Sequence, residues 1–306
     1  MPITREQLKN MVIPDEERII LQAKLDRCKA NDEWANKIFN KIAVLIISYL
    51  GQRAYLKASI ESHSKLGYFI ALTYDNYVDP KVNNVDHNSF MPDKEILDKI
   101  DLFIMPHHQT WKDVNYPYFW GLKWGATALQ GFDYIYVTEG DFVLDKPEGF
   151  DKLLSLIGDG DIMGCGPDTE TEMSSGAYIV KSKVLLQIVQ YMQNHFIPFE
   201  NYEKYITICG AEERLICAIK EFGLKKIEVA ESPTPDCTHD LKGTWYDLIG
   251  LRHIQGELDY AFKKGLIPPH SKYIDGKYLQ EIYNYKLVKE YWDTMDMNVL
   301  KNWWHK

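Results

Sequence analysis

The chain has 306 residues, of which 45% are hydrophobic and 13% aromatic, and its formal net charge at pH 7 is -9. This composition excludes a disordered protein, because it supplies enough apolar surface for a large buried core. The negative net charge gives no general attraction to phosphate backbones, so it disfavours nucleic acid as a partner.

Membrane insertion and cysteine chemistry are also disfavoured. The longest apolar run, Ile42 to Leu50, is less than half of the roughly 20 residues that a membrane-spanning helix needs. The first ten residues, MPITREQLKN, are too charged for a secretory signal. Five cysteines without a CxxC pair favour neither a disulfide framework nor a zinc cluster. We therefore expect a cytoplasmic protein without a transmembrane segment and with reduced thiols.

The predicted elements begin with a charged extension at residues 1–40, where Pro14 to Glu17 mark a helix start ahead of Ile19, Ile20 and Leu21. Strands and helices then alternate as far as residue 138. The predicted strands are 42–48, 68–74, 102–106 and 134–138, and the predicted helices are 53–65, 93–99 and 117–130. This alternation predicts an α/β fold whose mostly parallel sheet is flanked by helices.

The order of elements loosens after residue 145. The sequence there predicts helices at 149–157, 182–195 and 210–222 and strands near 161–165, 174–181 and 225–230. We expect three parts in all, namely a helical N-terminal extension at 1–40, a catalytic domain at 41–240 and a helical, aromatic-rich C-terminal extension at 241–306.

Residues 133–145, DYIYVTEGDFVLD, place two carboxylates on alternate residues at the end of an apolar strand. The run Tyr134 to Val137 is β-branched or aromatic and is typical of a buried strand. Gly140 allows the backbone to bend, so that Glu139 and Asp141 can approach one point. Mg²⁺ and Mn²⁺ prefer oxygen ligands and are often shared between carboxylates and a substrate phosphate. The alternative is an exposed turn with two solvated acids.

Other polar residues also follow predicted strands directly. They are Ser48, Asp75 and the stretch Pro106 to Gln109. In an open parallel sheet, ligands bind beyond the carboxyl ends of the strands. We therefore expect these residues to gather with Glu139 and Asp141 along one edge, which favours a ligand site over a solvated turn.

Three segments carry a resemblance to a known family: VLIISYLGQRAYLKASIESHSKLGYFIALTYDN, GLKWGATALQGFDYIYVTEGD and CGAEERLICAIKEFG. Together they resemble the nucleotide-sugar-dependent glycosyltransferases of the GT-A fold, most like family two, over roughly residues 41 to 230. The resemblance implies a GT-A (Rossmann-like) fold with a mixed, mostly parallel sheet. It also implies a hexosyl- or pentosyltransferase that moves a sugar from a nucleoside-diphosphate sugar to an acceptor hydroxyl.

The same resemblance implies the donor site. Asp75 matches the aspartate that reads the nucleotide base, and Ser48 lies beside it as a further nucleotide contact. Lys123 matches the basic residue that contacts the diphosphate, although the family often has arginine there. Trp124 replaces the asparagine that usually follows.

The metal site implied by the resemblance is a DxD-like motif that binds Mn²⁺ or Mg²⁺. Asp141 matches the principal ligand, and Glu139, which replaces the family's first aspartate, is a second ligand or a ribose contact. His239 matches the late histidine that is commonly the third ligand, with His253 as its rival. His107 and His108 are alternatives that would line the donor pocket.

The acceptor side is assigned on the same basis. Glu212 matches the acid that deprotonates the acceptor hydroxyl in an inverting transfer, and Glu213 is its competitor; the alternative is that both merely complement a helix N-terminus. Small residues at Ser175 and Gly176 would let a sugar or a diphosphate approach the backbone, and a plain bulge or turn is the alternative. Trp245, in the aromatic tail, is the third acceptor contact, although packing of the last helices would also explain it.

Two other functions are compatible with this sequence. Glutamate in place of aspartate at position 139 is compatible with a non-catalytic scaffold that binds glycan or protein through a degenerate GT-A site. A glycosyltransferase that acts on modified nucleic-acid bases is disfavoured by the net charge but not excluded by it.

Overall fold

The computed structural model describes the following residues: 19–23, 37, 41–75, 92–106, 115–164, 176–196, 211–227, 229 and 244–254. Within them the strands are β1 Ile19–Ala23, β2 Ile42–Tyr49, β3 Phe69–Asp75, β4 Leu102–Pro106, β5 Tyr134–Glu139, β6 Phe142–Leu144, β7 Ile162–Gly164, β8 Ala177–Lys181, β9 Lys226–Ile227 and β10 Leu251–His253. The α-helices are α1 Arg53–His63, α2 Lys94–Leu97, α3 Asn115–Ala128, α4 Phe150–Ser155, α5 Ser182–Phe196, α6 Ala211–Phe222 and α7 Thr244–Ile249.

Eight of the described strands form one mixed sheet in the order β1-β4-β3-β2-β5-β8-β7-β9. β2 pairs in parallel with β3 and β5, and β3 with β4. β8 is antiparallel to both β5 and β7, so β7 runs in the direction of β5, and β9 is parallel to β7. Six of these eight strands therefore share one direction, which confirms the predicted Rossmann-like α/β class.

The central strands are buried on both faces because their side chains feed two separate cores. Alternate residues of a strand point to opposite faces of the sheet. Leu45 and Ile47 of β2 belong to a core that includes helix α3, here called the α3-side core. Val44 and Ile46 belong to a second core that includes α1, here called the α1-side core. A continuous apolar run such as β2 is what a sheet covered on both faces requires.

Helix α3 lies very close to the sheet because two of its residues are glycines. A Cβ on Gly121 would lie 2.6 Å from Oγ1 of Thr73, and a Cβ on Gly125 would lie 2.4 Å from Leu45. These clashes explain why the helix carries glycine at two interior positions, where glycine otherwise weakens a helix.

A second, two-stranded sheet lies beside the main one. In it β10 pairs antiparallel with β6, so that His253 stands opposite Phe142 and Leu251 opposite Leu144. Helix α7 packs closely against the chain before α4, since a Cβ on Gly149 would lie 1.8 Å from the carbonyl oxygen of Leu248. Residues 244–254 are thereby fixed next to the strand that follows Glu139 and Asp141.

The sequence-based elements of residues 41–138 are confirmed with shifts of at most two residues at their ends. The helix predicted across Ile19 to Leu21 is wrong, because Ile19–Ala23 is a strand that pairs antiparallel with β4. The free edge of β4 offers unpaired backbone groups, and pairing with β1 satisfies them. The division into three parts stays a prediction, although β1 and β10 both come from the predicted extensions and pair with strands of residues 41–240.

None of the helices in the described residues is long and apolar enough to cross a membrane. Among the cysteines, Cys217 on α6 lies within the described residues and is a free thiol.

The core beneath β5 contains a histidine that makes stability depend on pH. His63 of α1 is fully buried, and its Nδ1 donates to the carbonyl oxygen of Ser59 at 2.7 Å. Burial lowers the pKa of His63 from 6.5 to about 4, and the hydrogen bond to Ser59 opposes that shift only in part. The unfolded chain therefore takes up a proton near pH 6.5, whereas the folded chain takes it up only near pH 4.

We expect this histidine to lower the free energy of unfolding as the pH falls from 6.5 to 4, by about 3 kcal/mol in total. The substitution His63→Leu removes the titration. Urea unfolding at pH 7 and at pH 4.5 measures the effect: the stability gap between wild type and His63→Leu should shrink toward the lower pH. Two pH profiles that run parallel would contradict the prediction.

Candidate functional site

The strands β2, β3 and β5 end side by side at one edge of the main sheet. Asp75, the last residue of β3, stands beside Tyr49, and Glu139, the last residue of β5, stands beside Ile47. The structure thus brings the polar residues that follow these strands to one edge, as the sequence predicted. We call it the carboxyl edge.

The turn Glu139–Gly140–Asp141 is fixed to both neighbouring strands. The amide of Gly140 donates to the carbonyl oxygen of Ile47 at 2.9 Å, and the amide of Glu139 donates to that of Gly176 at 3.1 Å. A Cβ on Gly140 would lie 2.2 Å from Oγ of Ser48, so a larger residue would displace that side chain. Glycine here serves close packing as well as the bend that the sequence predicted.

Asp141 is buried at this edge with only 2% of its surface exposed. Its Oδ2 lies 3.0 Å from Nε2 of His253, and its carbonyl oxygen accepts a bond from the amide of Ile254. Its Oδ1 has no hydrogen-bond partner in the described part of the chain. A buried carboxylate oxygen without a donor is costly, which is the usual sign of a missing ligand or water.

The ring of His253 is held in place by its own strand pair. It stacks on Phe142 with ring centroids 4.7 Å apart and planes 14° apart. Phe142 fits beneath residue 176 because that residue is glycine, where a Cβ would lie 2.5 Å from the ring. The neighbouring Arg252 and Asp145 form an ion pair at 3.3 Å with side chains 1% and 6% exposed. This packing fixes the imidazole against Asp141.

The predicted donor residues do not all lie on one face of the sheet. Glu139 follows Val137 of the α3-side core at a spacing of two, and Asp75 follows Ala71 of the same core at a spacing of four. Alternation therefore directs both toward α3. Ser48 follows Val44 and Ile46 and therefore faces the α1-side core. Its Oγ lies against Gly140.

Glu139 lies near a pair of buried tyrosines. The hydroxyl of Tyr118 donates to that of Tyr178 at 3.3 Å. Burial raises the pKa of Tyr178, and the nearby carboxylate of Glu139 raises it further, whereas the bond from Tyr118 lowers it. Tyr178 therefore stays a neutral hydroxyl at physiological pH.

Lys123 lies between two tryptophans on α3. Its Nζ is 4.3 Å from the ring centroid of Trp120 and 5.2 Å from that of Trp124. Cation–π contacts of this kind hold an ammonium group in place while it keeps its charge. Its predicted contact with a diphosphate stays a prediction.

Trp245 lies in the core and not at the carboxyl edge. It is completely buried in the α1-side core, and its ring centroid is 6.0 Å from that of Tyr136. Packing of helix α7, the alternative considered for this residue, accounts for its position. Gly176 does lie at the edge, directly beside the Glu139 backbone.

The remaining predicted residues are placed only in part. His107, His108, Ser175 and His239 lie outside the described residues. Glu212 and Glu213 stand in the first turn of α6, and this helix is followed by β9 after a short turn. Because β9 runs parallel to β7, α6 must run the opposite way, and its 12 residues carry its N-terminus back toward the carboxyl edge.

A divalent cation fits part of this arrangement. The described residues contain no group of three or more His, Cys, Asp or Glu side chains that could enclose a metal. Mg²⁺, however, is commonly held by one or two carboxylates plus substrate phosphates. Asp141 Oδ1 suits the first of these positions, and His253, which sequence reasoning treated as the rival of His239, orients the other oxygen of the same carboxylate.

Gln52 is a residue of this region that sequence reasoning missed. It lies in the short turn between β2 and α1, is 1% exposed, and its Oε1 has no hydrogen-bond partner among the described residues. Its position in the sequence could have identified it, because it follows a strand that ends at the carboxyl edge.

No protein-family model matches the chain, and no curated protein matches it. A solved structure from Desulfovibrio desulfuricans G20, provisionally described as a nucleotide-diphospho-sugar transferase, is similar over 82% of this chain and 98% of its own, with 10% identity and a TM-score of 0.39. A likeness that distant supports no argument, so the α/β class of this chain rests on its own strand order.

Proposed function

We propose that this protein is a nucleotide-sugar-dependent glycosyltransferase, a hexosyl- or pentosyltransferase, whose donor binds at the carboxyl edge. The observation that carries the proposal is Asp141, a carboxylate that is 2% exposed, held on Oδ2 by His253, and without a partner on Oδ1 in the described residues. Ligands of open α/β sheets bind at this edge. The resemblance of residues 41–230 to GT-A enzymes supplies the reaction.

The donor would be held by residues on the α3 face of the edge. Asp75 and Glu139 both point toward that face and supply acceptors for the hydroxyl and amide hydrogens of a nucleoside. Lys123, on α3 itself, supplies a positive charge for the diphosphate. A divalent cation, Mn²⁺ or Mg²⁺, would sit on Asp141 Oδ1 and neutralise the charge of the departing nucleoside diphosphate.

The acceptor hydroxyl would lose its proton to Glu212, with inversion at the anomeric carbon. Glu212 stands in the first turn of α6, where the helix dipole favours the ionised carboxylate that a base requires. Glu213 is the competing base. Ser175 and Gly176 would line the acceptor side, because small residues allow a sugar to approach the backbone.

Calorimetry with nucleoside diphosphates tests the proposal. We expect at least one of UDP, GDP, ADP or CDP to bind in the presence of MnCl₂ and to bind much more weakly in the presence of EDTA. A screen of the matching nucleotide sugars for hydrolysis would then identify the donor. Failure of all four to bind in MnCl₂ would overturn the proposal, and binding without turnover of any donor would indicate a non-catalytic scaffold.

A further inference from the structure

Three buried side-chain oxygens without hydrogen-bond partners in the described residues belong to residues that contact Gly140 or follow it in the chain. They are Oγ of Ser48, Oε1 of Gln52 and Oδ1 of Asp141. The three residues are 1%, 1% and 2% exposed, so bulk water does not solvate these atoms. Buried polar atoms are nearly always paired, so each of these atoms is a candidate for contact with a ligand or an ordered water.

Their arrangement follows from the absence of a side chain at residue 140. The point where a Gly140 Cβ would stand is 2.2 Å from Oγ of Ser48 and 3.2 Å from Oε1 of Gln52. Asp141 is the next residue along the chain. The end of β2 and the turn that follows it therefore present two neutral oxygens beside the turn that carries the buried carboxylate.

The chemistry of these atoms suits a cation or a hydrogen-bond donor. A carboxylate oxygen and an amide oxygen only accept, and the serine hydroxyl can also accept or coordinate. A hard divalent cation prefers such all-oxygen surroundings. Glu139, by contrast, is directed to the opposite face, beside Tyr178.

We propose that Gln52 and Ser48, together with Asp141 Oδ1, supply the protein oxygens that bind the divalent cation, a position that the sequence assigned to Glu139. This ligand set rests on the proposed function in so far as the cation is the one that accompanies the donor. His253 then orients the carboxylate through Oδ2, and such orienting partners contribute to metal affinity without binding the metal.

Titration of the full-length protein with MnCl₂, followed by calorimetry and by manganese electron paramagnetic resonance, tests the ligand set. We expect Gln52→Leu and Ser48→Ala each to weaken Mn²⁺ binding by about tenfold or more. Gln52→Glu keeps an oxygen in place and should restore binding. Gln187→Leu, which changes an exposed glutamine of α5, is the matched control and should bind as wild type does.

Thermal unfolding provides a second readout that a purely structural role would not produce. Without metal, Gln52→Leu should be more stable than wild type, because leucine removes a buried acceptor that lacks a donor. With MnCl₂ the order should reverse, because wild type gains stability from bound metal and the variant does not. A structural glutamine would instead make the variant less stable under both conditions.

Wild-type affinity for Mn²⁺ in Gln52→Leu and Ser48→Ala would overturn the ligand set, as would a larger loss in Glu139→Gln than in either. Failure of the proposed function is a separate result. A wild-type protein that binds Mn²⁺ through Gln52 but binds no nucleoside diphosphate would refute the transferase and leave the cation site standing.

Discussion

Replacing Asp141 with asparagine is expected to reduce manganese-dependent binding of the nucleoside diphosphate by roughly 100-fold or more, because a bound metal contributes several kcal/mol and each 1.4 kcal/mol is a factor of ten. The substitution keeps the shape of the side chain while it removes the charge on Oδ1. An asparagine can still meet Nε2 of His253, so the turn and the pairing of β6 with β10 should survive. Turnover of the donor should fall with the affinity.

The matched control for Asp141→Asn is Asp247→Asn, which removes an exposed carboxylate from α7, the helix just before His253. It should bind donor and metal as wild type does. Thermal unfolding without metal should show that Asp141→Asn is folded and no less stable than wild type, since it loses a buried charge. Full turnover by Asp141→Asn in the presence of EDTA would refute the metal site at this position.

Replacing Glu212 with glutamine is expected to leave donor affinity unchanged and to slow sugar transfer by about 10²–10⁴-fold, the usual contribution of a positioned general base. The two effects separate because the proposed base acts on the acceptor and makes no contact with the nucleotide. Glutamine keeps the size of the side chain and one acceptor oxygen but takes up no proton. Calorimetry measures donor affinity, and product formation under saturating donor measures transfer.

Two further variants complete the design for Glu212. Glu213→Gln tests the competing base, and a large loss there with normal transfer by Glu212→Gln would reassign the role. Glu221→Gln, at an exposed position near the other end of α6, is the control for loss of a carboxylate from this helix. Normal transfer by both Glu212→Gln and Glu213→Gln would contradict a carboxylate base on α6.

The central sheet could be predicted from the sequence because strands that are buried on both faces are continuous apolar runs. The runs that form β2 to β5 are mostly apolar, and that pattern can be seen without knowing which strands pair. Strand β1 could not be predicted in this way, because Ile19–Ala23 is a short apolar run within a charged segment and becomes a strand only by pairing with β4. Its conformation is decided by a contact with a distant part of the chain.

The sequence predicted the edge of the sheet at which the candidate site lies, but it did not predict the side-chain contacts within the site. The order of strands and polar residues placed Asp75, Glu139 and Asp141 together, because parallel strands end on the same side. The face on which each side chain lies follows from the alternation of side chains along each strand. This alternation puts Ser48 and Glu139 on opposite faces of the sheet. The contact of Asp141 with His253 joins residues 112 positions apart, so no local sequence pattern predicts it.

The buried pair of Arg252 and Asp145 joins chain segments that are synthesised far apart in time. Asp141 leaves the ribosome more than 100 residues before His253 does. Until β10 arrives, the nascent chain carries Asp145 without its arginine and Asp141 without its imidazole, on a sheet whose central strands can already pair. The contacts that orient the Asp141 carboxylate and pair Asp145 with Arg252 therefore cannot form until residues 252 and 253 have left the ribosome.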